Sequence, residues 1–293
     1  MPPAASRSKS APPWGKKLVD LHLDRLTDTM IATPQPDLQP LALAIAAYRR
    51  SWAERDDLLR LGVVPFIPLY FLFRVLERVQ NGMYVEMQKG AGADPDLLID
   101  AILQMTMIGL GLIIVIGFFS VNWIRQMTMG RAAAPGLGLN IGLRHFLFAF
   151  VMLVLVTVAF GASLVVSVVF SLLGLTQLAL LVSMLVMVIG YLLLLTRLSP
   201  SWIGIALDAR MPLKTAWRRT AGQGGRLVGA LMLTALPAFA AQSLLVALFQ
   251  GLGLLEAAPL AFSVLSSFIS LAYMAVQLNL FVLAYPRFVS ETV

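Results

Sequence analysis

Residues 146–172 read FLFAFVMLVLVTVAFGASLVVSVVFSL, a run from Phe146 to Leu172 without a single charged side chain. A helix that crosses a bilayer needs about 20 mostly apolar residues, because backbone polar groups in hydrocarbon must be satisfied within the segment itself. Working outward from this run, five more appear at Leu61–Leu76, Leu98–Phe119, Leu178–Thr196, Leu227–Phe249 and Ala258–Ala284. The sequence therefore predicts an all-α polytopic membrane helix bundle with six transmembrane helices over residues 41–293, preceded by a disordered or loosely structured cytoplasmic tail and linker over residues 1–40. The run Leu61–Leu76 is the least regular, since Pro65 and Pro68 interrupt it and Arg74 lies near its end. Proline is tolerated in membrane helices, and a terminal Arg can extend its head to the interface.

Composition points the same way. Hydrophobic residues make up 59% of the chain and charged residues only 13%, with a mean hydropathy of +0.83. A water-exposed globular surface needs about twice that charge, so most of this surface faces lipid. Two His and no Cys exclude disulfides, thiolate metal sites and cysteine nucleophiles. No catalytic residue, metal or cofactor is predicted, and no nucleic-acid partner.

The basic residues orient the bundle. Of the 22 Lys and Arg, only Arg74, Arg78 and Lys89 fall in alternate loops. The remainder lie in the N-terminal segment, the second and fourth loops and the C-terminal end. Lys and Arg concentrate on the cytoplasmic side of membrane proteins, so both termini are expected in the cytoplasm. The first 36 residues have early positive charges but no apolar core to follow them, so they do not read as a cleaved signal peptide and are expected to stay on the protein. Within them, Leu18–Thr29 is a candidate surface helix, and Pro34–Pro40 a linker.

The segments assigned to the cytoplasm resemble one another. Ala47-Tyr48-Arg49-Arg50-Ser51 matches Ala216-Trp217-Arg218-Arg219-Thr220, each followed by a further Arg (Arg60, Arg226) and an apolar run. Trp123-Ile124 with Arg131 likewise matches Trp202-Ile203 with Arg210. These matches suggest a parallel repeat of helix pairs, each introduced by a basic amphipathic segment. The simpler explanation is that Trp and Arg both favour the headgroup layer, which would put them at membrane borders without any duplication.

The residues Ala47 to Tyr70 and, more specifically, Arg197-Leu198-Ser199 through Asp208 and Met211 to Gly222 resemble a group of uncharacterised six-helix bacterial inner-membrane proteins. That group is similar to the membrane domain attached to some bacterial glycerophosphodiester phosphodiesterases. The resemblance implies a helical inner-membrane architecture and an association with lipid metabolism. It carries over no catalysis, since the phosphodiesterase activity of such fusions belongs to a separate soluble barrel for which this chain has no segment.

Two constellations are candidate sites. In the fourth loop, a helix after Pro212 places Lys214 and Arg218 at i and i+4, with Trp217, Arg219 and Arg226 nearby, a pattern suited to anionic lipid headgroups. The same charges could serve topology alone. The glycines Gly222, Gly224 and Gly225 read as a helix stop and hinge. In the last apolar run, Ser263, Ser266, Ser267, Ser270, Tyr273 and Gln277 share one helix face and form a polar stripe, read first as a packing seam and otherwise as a polar path. Asp94-Pro95-Asp96 reads as a helix cap rather than a cation site. His22 and His145 have no evident metal or nucleophile partner. The leading expectation is a noncatalytic inner-membrane protein that organises lipids or partner proteins through its basic cytoplasmic face. The alternative is a transporter or channel for a small or amphipathic solute.

Overall fold

The computed structural model describes residues 39–89, 94–138, 141–209 and 211–289, so the expected tail and Leu18–Thr29 helix, and nearly all of the linker, lie outside the described residues. Apart from short connections the described chain is helical, with no strand among its residues. A helix α1 (Pro40–Ala53) precedes α2 (Arg55–Gln88), which pairs with α3 (Pro95–Met129). A second hairpin joins α4 (Leu143–Leu172) to α5 (Thr176–Arg197). Two short helices, α6 (Ser199–Ala206) and α7 (Leu213–Arg219), lead into a third pair of long helices, α8 (Gly224–Gly251) and α10 (Pro259–Val289), joined through the single turn α9 (Leu254–Ala257).

Five of these helices are long and apolar enough to cross a membrane, six when the bent pair α5–α6 is counted as one span. Only 17% to 28% of each span's apolar window is buried inside the bundle. The rest is an outward apolar surface, as on α2, where Leu59, Val63, Ile67, Phe71 and Val75 are exposed at every fourth position. Side chains four apart share a helix face, so this is a continuous ridge suited to acyl chains. The molecule is a multi-pass membrane protein.

The first two spans outrun the sequence expectation, the second because α3 continues past Phe119 to Met129, and a bend follows the fourth. The first run extends far beyond Leu61–Leu76, because α2 continues as one 34-residue helix through both Pro65 and Pro68, about 51 Å long at 1.5 Å per residue. Its charged flanks stay helical, and pattern-reading by hydropathy sees only the apolar middle. The fourth run does not end straight: α5 and α6 meet at Leu198 with a 58° bend. Pro200, in the first turn of α6, lacks the amide hydrogen that a continuing ladder would need. The elbow is fastened by Ser199 Oγ donating to the Thr196 carbonyl at 2.8 Å and Trp202 Nε1 donating to the Leu195 carbonyl at 3.1 Å.

The core is built on α10, whose Leu271, Ala275, Val276, Leu280 and Phe281 are buried. Trp123 and Trp202 belong to this core, at 0% and 1% exposure, and not to the headgroup layer that border tryptophans favour. Trp202 sits edge-on to Phe148 and Phe281, with ring centres 5.7 and 5.0 Å away. Burial of so large a ring needs a partner for its N–H, and Trp123 finds one in Asn279 Oδ1 at 3.2 Å.

Candidate functional site

The fourth-loop residues divide by their contacts. Pro212 precedes α7, where Lys214 and Arg218 are exposed one turn apart, and Arg226 is exposed in the first turn of α8. Gly222, with φ at +78°, makes the left-handed turn between the two helices that the sequence reading assigned to a helix stop. Arg197, at the end of α5, lays its guanidinium over the Trp217 ring, 4.5 Å from the centroid, and donates to the Trp217 and Thr220 carbonyls at 2.9 and 3.1 Å. Trp217 therefore anchors α7 to α5 while remaining 40% exposed. Arg219 turns the other way and donates to the Phe288 carbonyl at 2.7 Å, near the C-terminal end of α10. Its charge sits where the helix dipole favours a cation. The accessible cations of the predicted set are thus Lys214, Arg218 and Arg226.

The two Arg-Arg motifs make matching contacts. Ala47 and Ala216 are both fully buried. Ser51 and Thr220 each return a hydroxyl hydrogen bond to that alanine's carbonyl, both at 2.9 Å. Arg50 donates to the Met127 carbonyl in the last turn of α3, as Arg219 does to Phe288 in α10. Burial draws the Arg50 guanidinium below its ordinary pKa, with Glu54 opposing the shift. In both motifs the second arginine closes the end of an even-numbered span, a correspondence that the border-residue explanation does not require. Arg210, part of the second pattern, lies outside the described residues.

Beneath the basic face lies a polar layer that sequence reasoning did not identify. Asp57, 2% exposed, accepts from Arg60 Nε at 3.1 Å, Arg131 Nε at 3.1 Å and Gln126 Nε2 at 2.9 Å. Asn279 connects α10 to α1 and α3, accepting from Trp123 and donating to Ser51 Oγ at 2.8 Å. Asp208 accepts from Arg125 at 2.9 Å and Arg144 at 2.8 Å, joining α3 to α4. His145 stacks on Phe118 and accepts at Nδ1 from the Gly142 amide, so it is a packing residue of the α4 start. The i, i+3 spacing of Asp57 and Arg60 was visible in the chain. Their meeting with Arg131 and Gln126 is tertiary.

At the other end of the bundle, Asp94 caps α3 by accepting from the Asp96 amide at 2.9 Å, as its sequence suggested. The polar stripe of α10 separates into parts. Tyr273 and Gln277 bond each other. Ser266 accepts from Gln242 of α8 at 2.7 Å, while Ser263 accepts from Arg74 of α2 at 3.3 Å. Ser263 and Ser267 are buried and Ser270 is exposed. A cleft of about 220 Å³ opens here between α2 and α10, lined by Arg74, Glu77, Gln80, Ser263, Ser267 and Ser270 among others. All four serines line the cleft, Ser263 and Ser267 as buried residues and Ser270 as an exposed one.

Among the described residues, no group of three or more His, Asp or Glu is arranged to hold a metal ion. No protein-family model, curated protein or solved structure matches the chain. The fold and these surfaces define the class as an α-helical multi-pass membrane protein with one strongly basic end.

Proposed function

We propose that this is a noncatalytic protein of a bacterial inner membrane that organises lipids or partner proteins by holding anionic headgroups at its basic end. The observation that carries the reading is the division of the fourth-loop cations. Arg197 and Arg219 are committed to backbone carbonyls, whereas Lys214, Arg218 and Arg226 stand exposed near Trp217. Each cation near an anionic leaflet contributes about 1 kcal/mol. The proposal also includes kinship with the membrane domain of glycerophosphodiester phosphodiesterases, which rests on the loop residues alone. Transport of a small or amphipathic solute, the alternative, draws its support from the cleft on α10. Opposing it, α1 fills the bundle on the basic side of that cleft, through Tyr48 Oη donating to the Thr234 carbonyl and Ser51 bonding Asn279.

Changing Lys214, Arg218 and Arg226 together to Gln should lower retention of phosphatidylglycerol by the purified protein by about a hundredfold, from about 1 kcal/mol per charge. Arg219 is left intact because its loss would loosen α10. Retention equal to wild type in native mass spectrometry would give the three charges a topological role only. The orientation is tested separately. Reporter fusions at both termini should read as cytoplasmic, and a periplasmic signal from either would overturn the assignment of the basic face.

A further inference from the structure

The cleft beside the α10 serines sits at a definite depth. Arg60 of α2 meets Gln126 of α3 at the basic end of the bundle. From Arg60 to Arg74 is about fourteen residues, or about 21 Å of helix. The Arg74 side chain reaches further, to Ser263. By the other route, Asn279 bonds Trp123, one turn from Gln126, and Ser263 lies about sixteen residues, or about 24 Å, beyond Asn279. The first route gives about 21 Å of helix before the reach of the Arg74 side chain, and the second about 24 Å plus the turn from Trp123 to Gln126, so both put the Arg74 guanidinium near the far edge of a hydrocarbon layer about 30 Å thick. It therefore lies in the opposite headgroup layer.

The gap has a floor and two walls. Arg74 of α2 and Gln242 of α8 reach α10 serines from either side. Nearer the basic end, α1 occupies the space over α8 and α10, through Tyr48 at Thr234 and Ser51 at Asn279 respectively. Beyond it, nothing in the described chain covers Ser270. The cleft holds a charge pair, Arg74 Nη1 to Glu77 Oε2 at 2.8 Å, with the two side chains 38% and 51% exposed. Gln242 gives its amide to Ser266 and keeps a buried carbonyl oxygen without a partner beside the same row. Phe73 and Leu76 of α2 and Phe262 of α10 supply the apolar part of the cleft's lining.

These features select a ligand. A purely anionic headgroup would meet Glu77, and a purely cationic one would meet Arg74, each a like-charge contact. A zwitterion satisfies both, with its phosphate on Arg74 and the serine hydroxyls and its ammonium donating to Glu77. The volume of about 220 Å³ corresponds to roughly seven waters at about 30 Å³ each, enough for a phosphate and a two-carbon amine. We propose that this cleft is a headgroup site for a zwitterionic aminophospholipid of the leaflet opposite the basic face. The site is independent of the anionic-lipid reading, since it uses other residues at the other end of the bundle.

The test is competitive lipid retention by the full-length protein in detergent, read by native mass spectrometry. The probes are dioleoyl phosphatidylethanolamine, phosphatidylcholine and phosphatidylglycerol. The ethanolamine lipid should be held about tenfold more tightly than the choline lipid, whose quaternary nitrogen has no hydrogen to donate to Glu77. Glu77→Gln should remove that preference. Ser270→Phe should reduce ethanolamine-lipid retention by narrowing the mouth while leaving both charges in place, and it provides a check should the Glu77 variant fold poorly. Equal retention of ethanolamine and choline lipids by the wild type would overturn the proposal, as would a preference that survives both substitutions in folded protein. Displacement of the lipid by free phosphoethanolamine would reassign the cleft to a soluble zwitterion and overturn the lipid assignment. Retention of phosphatidylglycerol that depends on Lys214, Arg218 and Arg226 reports the basic end only.

Discussion

Replacing Gly204 with alanine should destabilise the protein by about 3 kcal/mol, among the largest effects expected of adding a single methyl group. A Cβ at this position would stand 2.3 Å from the Ala209 carbonyl oxygen, far inside van der Waals contact. The obstacle is backbone, so no side-chain rotation can relieve it. The turn itself is constrained: the Ala209 amide donates back to the Gly204 carbonyl at 2.8 Å and the Asp208 amide to the Ile205 carbonyl at 3.3 Å. This is a Schellman-type helix end, in which the left-handed position is usually glycine. Here it is Asp208, with φ at +60°, whose carboxylate binds Arg125 and Arg144. Thermal unfolding in detergent should show a lowered midpoint for Gly204→Ala and only a small change for Gly225→Ala, which meets open space. Equal midpoints for wild type and Gly204→Ala would mean that the α6 turn gives way at little cost.

Asp57→Ala should cost about 1–3 kcal/mol, because it removes the buried acceptor shared by Arg60, Arg131 and Gln126 and leaves the Gln126 amide without one. Gln126, 6% exposed, would lose the acceptor of its amide. Arg60 would keep the Ala134 and Gly136 carbonyls, and Arg131, with 71% of its side chain exposed, can turn to water. The larger part of the loss is therefore assigned to Gln126. A double-mutant cycle with Arg131→Ala separates the contributions, since a coupling below about 0.5 kcal/mol would place the cost outside the Asp57–Arg131 pair. An Asp57→Ala protein as stable as wild type would remove the cluster from the determinants of the fold.

The three hairpins of long helices were legible because a membrane span announces itself locally, through some 20 apolar residues and the charges that bound them. The Asp94 cap, the helix after Pro212 and the stop at Gly222 were legible for the same reason, each being fixed by a few neighbouring residues. The second arginine of each Arg-Arg motif was visible as a repeat, but not as the closure of a distant helix end. Trp123 and Trp202 show the limit most clearly. Their positions at the ends of apolar runs suit a headgroup belt, yet the first is held by Asn279, more than 150 residues away, and the second by Phe148 and Phe281.

The sequence by itself determined that this chain is a bundle of membrane-crossing helices with its basic residues concentrated in alternate loops, because hydropathy and charge act residue by residue and need no partner. Tertiary structure alone decided which polar residues are structural and which are left open. It buried Asp57 and Asn279, tied Arg50 and Arg219 to helix ends, and left Lys214, Arg218 and the Arg74–Glu77 pair accessible. That outcome depends on contacts between segments far apart in the chain. Lipid tails are as apolar as leucine, so hydrophobicity does not choose among ways of packing such helices. Close packing and satisfaction of each buried polar group make the choice, and both are properties of the assembled bundle.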